Sequence, residues 1–487
     1  MADWDKRWDV LVAGGGNAAL CAAIAARREG RSGRVGGGGP AALCAAIAAR
    51  REGRSVLVVE AAPKFYRGGN TRHTRNMRCA HDAATETLSG PYGEAEFFDD
   101  LMLVTAGNTD ETLARLMIRE SKAMLDWIQE QGVRFQPSLG GTLSLGRTNS
   151  FFLGGGRSML NSLYRTAERL GVVVAYDAEV TGLEIEDGAF RSATVTTPKG
   201  AHRVVAANFV AASGGFEANL EWLKEGWGDK ADNFLIRGTP YNKGTIIRML
   251  LEAGVEQIGD PTQCHAVAID ARAPKFDGGI ITRLDCVVFG IVVNRDGARF
   301  YDEGEDIWPK RYAIWGRLVA AQPDQIAYII FDAPSLEKFM PSLYPPVTAG
   351  SVGELADKLG LDREALQDTV TRFNAAVEGG RPFDHTTLDG NRTRGLEIDK
   401  TNWAQRIETA PFYAYPVRPG ITFTYLGVRV NEQARMMMAD GRTAPNMFAA
   451  GEIMAGNVLR QGYAAGIGMT IGSVFGRIAG QEAARNA

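Results

Sequence analysis

The sequence predicts an α/β fold of two domains, one assembled from both ends of the chain and one inserted between them. The first of three supporting observations is the stretch Asp9-Val10-Leu11-Val12-Ala13-Gly14-Gly15-Gly16-Asn17-Ala18-Ala19, an apolar strand running into glycines and an alanine-rich helix. The second is the run of strand patterns Val172 to Tyr176, Glu179 to Ile185 and Ser192 to Thr197, which suits a βαβ start carrying a small β-meander. The third is a change of texture. From about Tyr241 the chain turns to irregular loops with Asp, Pro and aromatics, ends them in the amphipathic stretch Ser351 to Val377, and then returns to the earlier style. The expected boundaries are 1–236 and 415–487 for the first domain and 237–414 for the second.

The opening loop, Gly14, Gly15, Gly16, Asn17 and Ala18, reads as G-x-G-x-x-A, placing backbone N–H groups and a helix N-terminus where a dinucleotide pyrophosphate can sit. Alone it is only a tight turn before a helix. Residues 14–32 and 37–55 are the same nineteen letters except that Pro40 replaces Asn17, so loop and helix occur twice, 23 positions apart. One position in the sheet holds one such loop. The acidic residue that binds ribose hydroxyls belongs roughly 20 residues on; Glu60 lies 23 beyond Gly37 and 46 beyond Gly14. That spacing favours the second copy. A paired strand must feed the turn, however, and Arg34-Val35-Gly36 is a poor strand beside Val10-Leu11-Val12. The first copy is therefore expected to form the site, with residues 31–55 looped out as a spare helical hairpin. Its helix would rise about 20 Å and the ten residues before it reach about 33 Å, enough to return to the second strand.

Composition narrows the function. A chain of 487 residues supports two or three domains with sizeable cores. A net charge of −3, without a basic run beyond Arg27-Arg28 and Arg50-Arg51, argues against nucleic acid. The N-terminus lacks the apolar core of a signal peptide and no stretch reaches ~18 apolar residues, so no membrane span and a cytoplasmic protein are expected. The five cysteines show no C-x-x-C spacing, which leaves disulfide exchange and metal binding unsupported.

Further glycine turns follow in order. Arg67-Gly68-Gly69-Asn70-Thr71 offers donors for a second phosphate contact. Helices are expected at Glu94 to Gly107, at Asp110 to Gln131 with an Asp cap, and at Ser158 to Leu170 behind Gly154-Gly155-Gly156. Phe209 to Phe216 is a strand leaving through Gly214-Gly215, and Asn446 to Glu452 another leaving through Gly451. The closing helix carries Gly468, Gly472, Gly476 and Gly480 on one face, which permits close approach of another helix or of a flat cofactor ring.

Together with Ala212-Ser213-Gly214-Gly215-Phe216, Gln263-Cys264-His265, Asn294-Arg295-Asp296-Gly297-Ala298-Arg299-Phe300 and Ala450-Gly451-Glu452, these segments resemble the flavoprotein family of fumarate reductases, succinate dehydrogenases and 3-ketosteroid dehydrogenases. The resemblance covers nearly the whole chain apart from the duplicated block. It implies a Rossmann-like FAD-binding domain made of both chain ends and an α+β capping domain, with substrate between them. FAD would be held by Gly14, Gly15, Gly16, Asn17, Ala18, Glu60, Gly68, Gly69, Asn70, Thr71, Val180, Ser213, Gly214, Gly451, Glu452, Gly466 and Ile467. The helix opening near Ala464 would aim its positive end at the flavin.

The resemblance also implies catalytic roles. His265 falls where the family has a histidine on a substrate carboxylate, though a neutral core histidine is the competing reading. Arg460 falls where an arginine clamps a carboxylate through two parallel hydrogen bonds, and Arg311 where an arginine moves the proton, with Tyr312 as its rival because a free arginine is no base. Two departures matter. Asn70 stands where succinate dehydrogenases attach FAD to histidine, so FAD should be noncovalent; Phe423 stands where fumarate reductases have a second carboxylate-binding histidine. The implied activity is FAD-dependent dehydrogenation of a small polycarboxylate. Its electrons would pass to a separate electron-transfer or quinone-linked partner, which would bring the protein to the inner face of the membrane. Fumarate reduction and 3-ketosteroid Δ1-dehydrogenation are the alternatives within the class, and a noncatalytic or misfolded flavin-binding variant is the alternative outside it.

Overall fold

The computed structural model describes residues 2–29, 54–138, 145–340 and 342–487. The strand Trp8–Ala13 lies at the middle of the first sheet, parallel to Val56–Val59 on one side and to Gly200–Ala211 on the other. Val173–Ala175 extends the sheet beyond Val56–Val59, and Thr443–Ala449 extends it beyond Gly200–Ala211, both in parallel. The continuous apolar runs Val10–Val12 and Val56–Val58 are fully buried, as strands covered on both faces require. A strand from near the C-terminus thus completes a sheet begun at the N-terminus. The meander appears as Glu179–Glu186 and Ala189–Thr197, paired antiparallel and attached to Gly200–Ala211.

The helix Asn17–Glu29 fills one face of this sheet against the closing helix Ile467–Arg485. A Cβ on Gly476 would stand 2.5 Å from the Ala18 carbonyl oxygen, and one on Gly480 2.1 Å from that of Ala22. The glycine stripe therefore brings two backbones into contact.

The second sheet is centred on the long strand Phe412–Thr424, with Ala327–Asp332 and Cys264–Asp270 antiparallel to it and Ile291–Asn294 beyond. The helices Val352–Leu359 and Arg363–Ala376 cover it through Leu355, Leu366 and Phe373. The fold is the expected mixed α/β one.

One expected helix and the expected amphipathic stretch are each divided. The stretch 110–131 forms Glu111–Ser121 and Met124–Glu130, because Ser121 Oγ turns back to the Ile118 carbonyl at 2.6 Å and accepts the Ala80 amide at 3.0 Å. Asp110 caps the first piece, accepting from the Leu113 amide at 3.1 Å. The stretch 351–377 divides at Gly360, whose φ of 69° ends one helix before Asp362 caps the next. The first copy of the repeated block, through Glu29, forms the loop and helix beside Trp8–Ala13; residues 37–53 of the second copy, and the expected spare hairpin with them, lie outside the described residues. Among the described residues no helix is long and apolar enough to cross a membrane.

Candidate active site

One long cavity runs from the glycine loop of the first sheet to the ends of Cys264–Asp270 and Phe412–Thr424 in the second. Every residue expected to hold the cofactor lines it except Ile467. Ile467 is the buried first residue of the closing helix, one position beyond Gly466, and packs into the core.

At one end the chain leaves Ala13 through Gly14, whose φ of 120° and closeness to Ala212 (2.2 Å from a Cβ to the Ala212 oxygen) admit only glycine. A Cβ on Gly15 would meet Glu60 Oε2 at 2.1 Å and Tyr164 Oη at 2.5 Å. Glu60, buried at the end of Val56–Val59, accepts from the Ala62 and Gly68 amides, each at 3.0 Å. Burial raises its pKa against these bonds. Glu60 stands beside the first copy's loop, so the sheet and not the residue count sets its place. The Asn17 amide at the helix N-terminus donates to Thr71 Oγ1 at 3.1 Å, and the Asn17 side chain donates to Ser473 Oγ at 2.8 Å. Asn17 and Thr71 thus fix the loop between two helices and the Gly68-Gly69 turn.

Glu217, which the sequence reading passes over, organises the middle. It is fully buried, and its Oε1 accepts from the side-chain amides of Asn70 and of Asn242, the latter at 2.8 Å. The Asn70 amide also donates to the Thr422 carbonyl at 2.8 Å and its oxygen accepts from the Thr239 amide at 2.8 Å. Glu217 Oε2 and Glu452 Oε1 would both lie within 2.8 Å of a Cβ on Gly215. Burial raises both carboxyls, and in Glu452 the charge of Glu217 adds to the rise, so the pair retains a proton.

These residues suit FAD. The loop offers backbone without side chains at a helix N-terminus, Glu60 stands at the end of the second strand, and the buried Ser213 hydroxyl has no protein partner.

The other end is a cationic chamber of Arg75, Arg237 and Arg283 with Tyr312, His265, Tyr463 and Phe423. Arg237 donates Nη2 to Thr422 Oγ1 at 2.9 Å, while its buried Nε and Nη1 have no partner. Arg283 Nη2 donates to Asp285 Oδ2 at 2.7 Å, and Trp308 Nε1 to Asp285 Oδ1 at 2.9 Å. Arg283 Nε is buried and unpartnered, and its guanidinium lies 5.0 Å from the centre of the Tyr312 ring. Burial and the neighbouring Arg283 lower both Arg75 and Arg237 to about 10. Burial opposes ionisation of Asp285, but Arg283 and Arg75 outweigh it and lower its pKa. His265 stacks on Tyr463 with centroids 3.7 Å apart, and its Nδ1 has no partner. Burial, then Arg237 and Arg283, hold it neutral, well below its usual pKa.

Arg311 and Arg460 are not among the residues that the structure brings to the cavity. In the short helix Trp308–Arg311, buried Trp308 is anchored on Asp285 and buried Tyr312 follows, so Arg311 points outward and pairs with Glu305 at 2.8 Å. Gly462 packs onto the Val104 carbonyl, where a Cβ would stand 1.7 Å away, and Gln461 donates to the Thr105 carbonyl at 2.9 Å. That turn carries Arg460 outward to Asn108, at 3.4 Å, and sends Tyr463 inward. Arg75, Arg237, Arg283 and Asp285 lie in irregular loops with no local pattern to mark them.

A strand, glycine loop and helix with a buried acid at the end of the next strand define a dinucleotide-binding protein. A family model described as an FAD binding domain matches residues 35–470. The chain belongs to this family, that of the fumarate reductase and succinate dehydrogenase flavoproteins, whose class is FAD-dependent oxidoreductase. The match begins at Val35, between the two copies and beyond the loop that lines the cavity. The chain is 27% identical to an NADH:fumarate oxidoreductase of Klebsiella pneumoniae over 99% of its own length and 48% of that protein's. It spans less than half the length of the first curated relatives it matches. In fold it is similar to the open conformation of a flavocytochrome c3 fumarate reductase, with TM-score 0.75 and 21% identity over 99% of this chain and 79% of that one. It is likewise similar to a 3-ketosteroid-Δ4-(5α)-dehydrogenase from Rhodococcus jostii, with TM-score 0.72 and 23% identity over 99% and 98% of the two chains.

Proposed function

We propose that the chain catalyses FAD-dependent hydride and proton transfer between adjacent carbons of a polycarboxylate, with tricarballylate and cis-aconitate as its saturated and unsaturated partners. The observation that carries this is the chamber. Three guanidinium groups line the cavity, with buried N–H donors of Arg237 and Arg283 unpaired, and one carboxylate, Asp285, pairs with Arg283 behind the lining. Buried unpaired cations are costly, and anionic ligands relieve them.

FAD, when bound, exchanges the hydride. Arg237 and Arg283 take the roles expected of Arg460, each offering unpaired donors to a carboxylate, and Arg75 adds a third charge. Neutral His265 contributes a hydrogen bond from its unpartnered Nδ1 edge. Tyr312, in place of Arg311, holds the proton. Burial raises its phenol against the pull of Arg283, Arg237 and Arg75. The resting group is thus a protonated donor, which favours a second reading, reduction of an unsaturated polycarboxylate, within the same site. The same chamber opposes an apolar steroid. A separate protein accepts or supplies the electrons, a reading supported by relatives named as cytochrome-linked and quinol-linked fumarate reductases.

Purified enzyme loaded with FAD should reduce an acceptor dye with tricarballylate, forming cis-aconitate, or reduce cis-aconitate or fumarate with a reduced dye. Turnover of 3-ketosteroids, with no polycarboxylate active in either direction, overturns the reading.

A further inference from the structure

The chamber also fixes a charge count. Arg75 comes from the loop after Gly69–His73, Arg237 from the segment joining the sheets, and Arg283 from the loop after Ile280–Thr282, with Asp285 behind it as its ion-pair partner. Asp285 is the carboxylate that answers the three guanidinium groups, and it is committed to Arg283 and Trp308. The remaining groups do not change the balance. His265 is neutral, and burial raises the phenols of Tyr312 and Tyr463. Arg78, behind the wall, is matched by Asp100 at 3.1 Å. Asp277, which pairs with His73, is 29% exposed and solvated. Lys243 at the rim is exposed, and the one negative charge of the Glu217–Glu452 pair, at the middle of the cavity rather than in the chamber, is held by hydrogen bonds from Asn70, Asn242 and the Thr424 amide.

Among the described residues the chamber therefore holds two uncompensated positive charges. We infer that it accepts its substrate as a dianion, so that a tricarboxylate enters together with one proton and a dicarboxylate enters with none. This rests on the polycarboxylate reading above. A third carboxylate would be left in the cavity without a counter-charge, where desolvation favours its neutral form. The proton comes from solvent and rests on that carboxyl. The consequence is a pH-dependent preference: acidification strengthens binding of tricarboxylates more than of dicarboxylates.

The test is calorimetric titration of the oxidised FAD-loaded enzyme at about pH 7.5, where free carboxyls are ionised, in two buffers of different ionisation heat. Cis-aconitate and fumarate serve as probes, since both are already unsaturated. The expected result is uptake of about one proton per cis-aconitate and nearly none per fumarate. In Asp285→Asn, where three positive charges face the ligand, uptake with cis-aconitate should fall close to zero. Tight binding of both ligands with equal proton uptake overturns the inference and leaves the polycarboxylate reading standing. Failure of either ligand to bind at millimolar concentration overturns both. The two-ligand comparison in the unaltered enzyme decides the matter even if the variant does not fold.

Discussion

Arg237→Lys compared with Arg460→Lys tests the relocation of the carboxylate clamp. Arg237 spends one donor on Thr422 and keeps Nε and Nη1 unpaired and buried. A carboxylate bound there gains two charge-assisted hydrogen bonds, and Lys preserves the charge but not the planar fork. Losing one such bond costs about 1.5–3 kcal/mol, so kcat/KM should fall roughly 10- to 150-fold. Arg460, half-buried with an unpartnered Nε, donates to Asn108 at 3.4 Å and stands outside the cavity, so its replacement should change kcat/KM by no more than about two-fold. The assay is steady-state dye reduction by tricarballylate, with the flavin absorbance of each variant as the check that the cofactor site is intact. A large loss in Arg460→Lys beside an unaffected Arg237→Lys would refute the chamber as the substrate site.

Other outcomes derive from the same geometry. Acid precipitation should release the flavin into the supernatant, because Asn70 is an amide held by Glu217, Thr422 and Thr239; yellow colour in the pellet contradicts this. Gly15→Val should strip FAD by driving a side chain into Glu60 and Tyr164, while Gly38→Val at the matching position of the second copy leaves it bound; the reverse pattern assigns the site to the second copy. Deleting residues 33–55 leaves Arg31-Ser32 where Arg54-Ser55 now donate to the Ala484 carbonyl and to Asp9, so flavin content and Tm should be kept or raised, and a Tm drop with flavin loss counts against it. His265 is neutral when folded, whereas the unfolded chain binds a proton there below about pH 6.5. Its contribution to stability is thus complete above that pH and falls as pH drops, and the Tm gap between about pH 7.5 and pH 5.5 should narrow in His265→Gln. An unchanged gap removes that assignment.

The cofactor end was legible because its chemistry is local. A parallel strand must be a continuous apolar run, a phosphate loop must be glycine, and the acid must end the next strand, so Val10–Val12, Gly14–Gly16 and Glu60 announce themselves within short segments. The glycine stripe of the closing helix was half legible: Gly476 and Gly480 meet the Ala18 and Ala22 carbonyls, while Gly468 and Gly472 line the cavity, so both expected uses occur along one face. The chamber was not legible. Its cations come from positions 75, 237 and 283, which no periodicity links, and what makes them a site is their convergence on one cavity, a property of the packed chain. At 311 and 460 the family correspondence and the cavity lining part for a geometric reason. One residue along a short helix or tight turn reverses the side a side chain faces, and here Tyr312 and Tyr463 point inward beside their outward arginines.

The repeated block shows the same contrast between counting and packing. By residue count Glu60 belongs to the second copy, yet a phosphate loop is held by the strand that feeds it as much as by the helix and strand beyond it. Gly14 takes its place because Trp8–Ala13 is paired on both sides, its own amide donates to the Val59 carbonyl at 2.9 Å, and the Ala13 carbonyl accepts from Ala212 at 2.9 Å. The second strand is secured independently of the residues between, since the Ser55 amide donates to Asp9 Oδ2 at 2.7 Å and the Val10 amide to the Ser55 carbonyl at 3.1 Å. With both strands pinned to each other at that edge, the length of chain joining them enters only as a slowly growing loop entropy. Doubling the block therefore leaves Gly15 and Glu60 face to face, and the spacing rule for the acidic residue proves to be a statement about sheet geometry that residue counting approximates only when nothing is inserted.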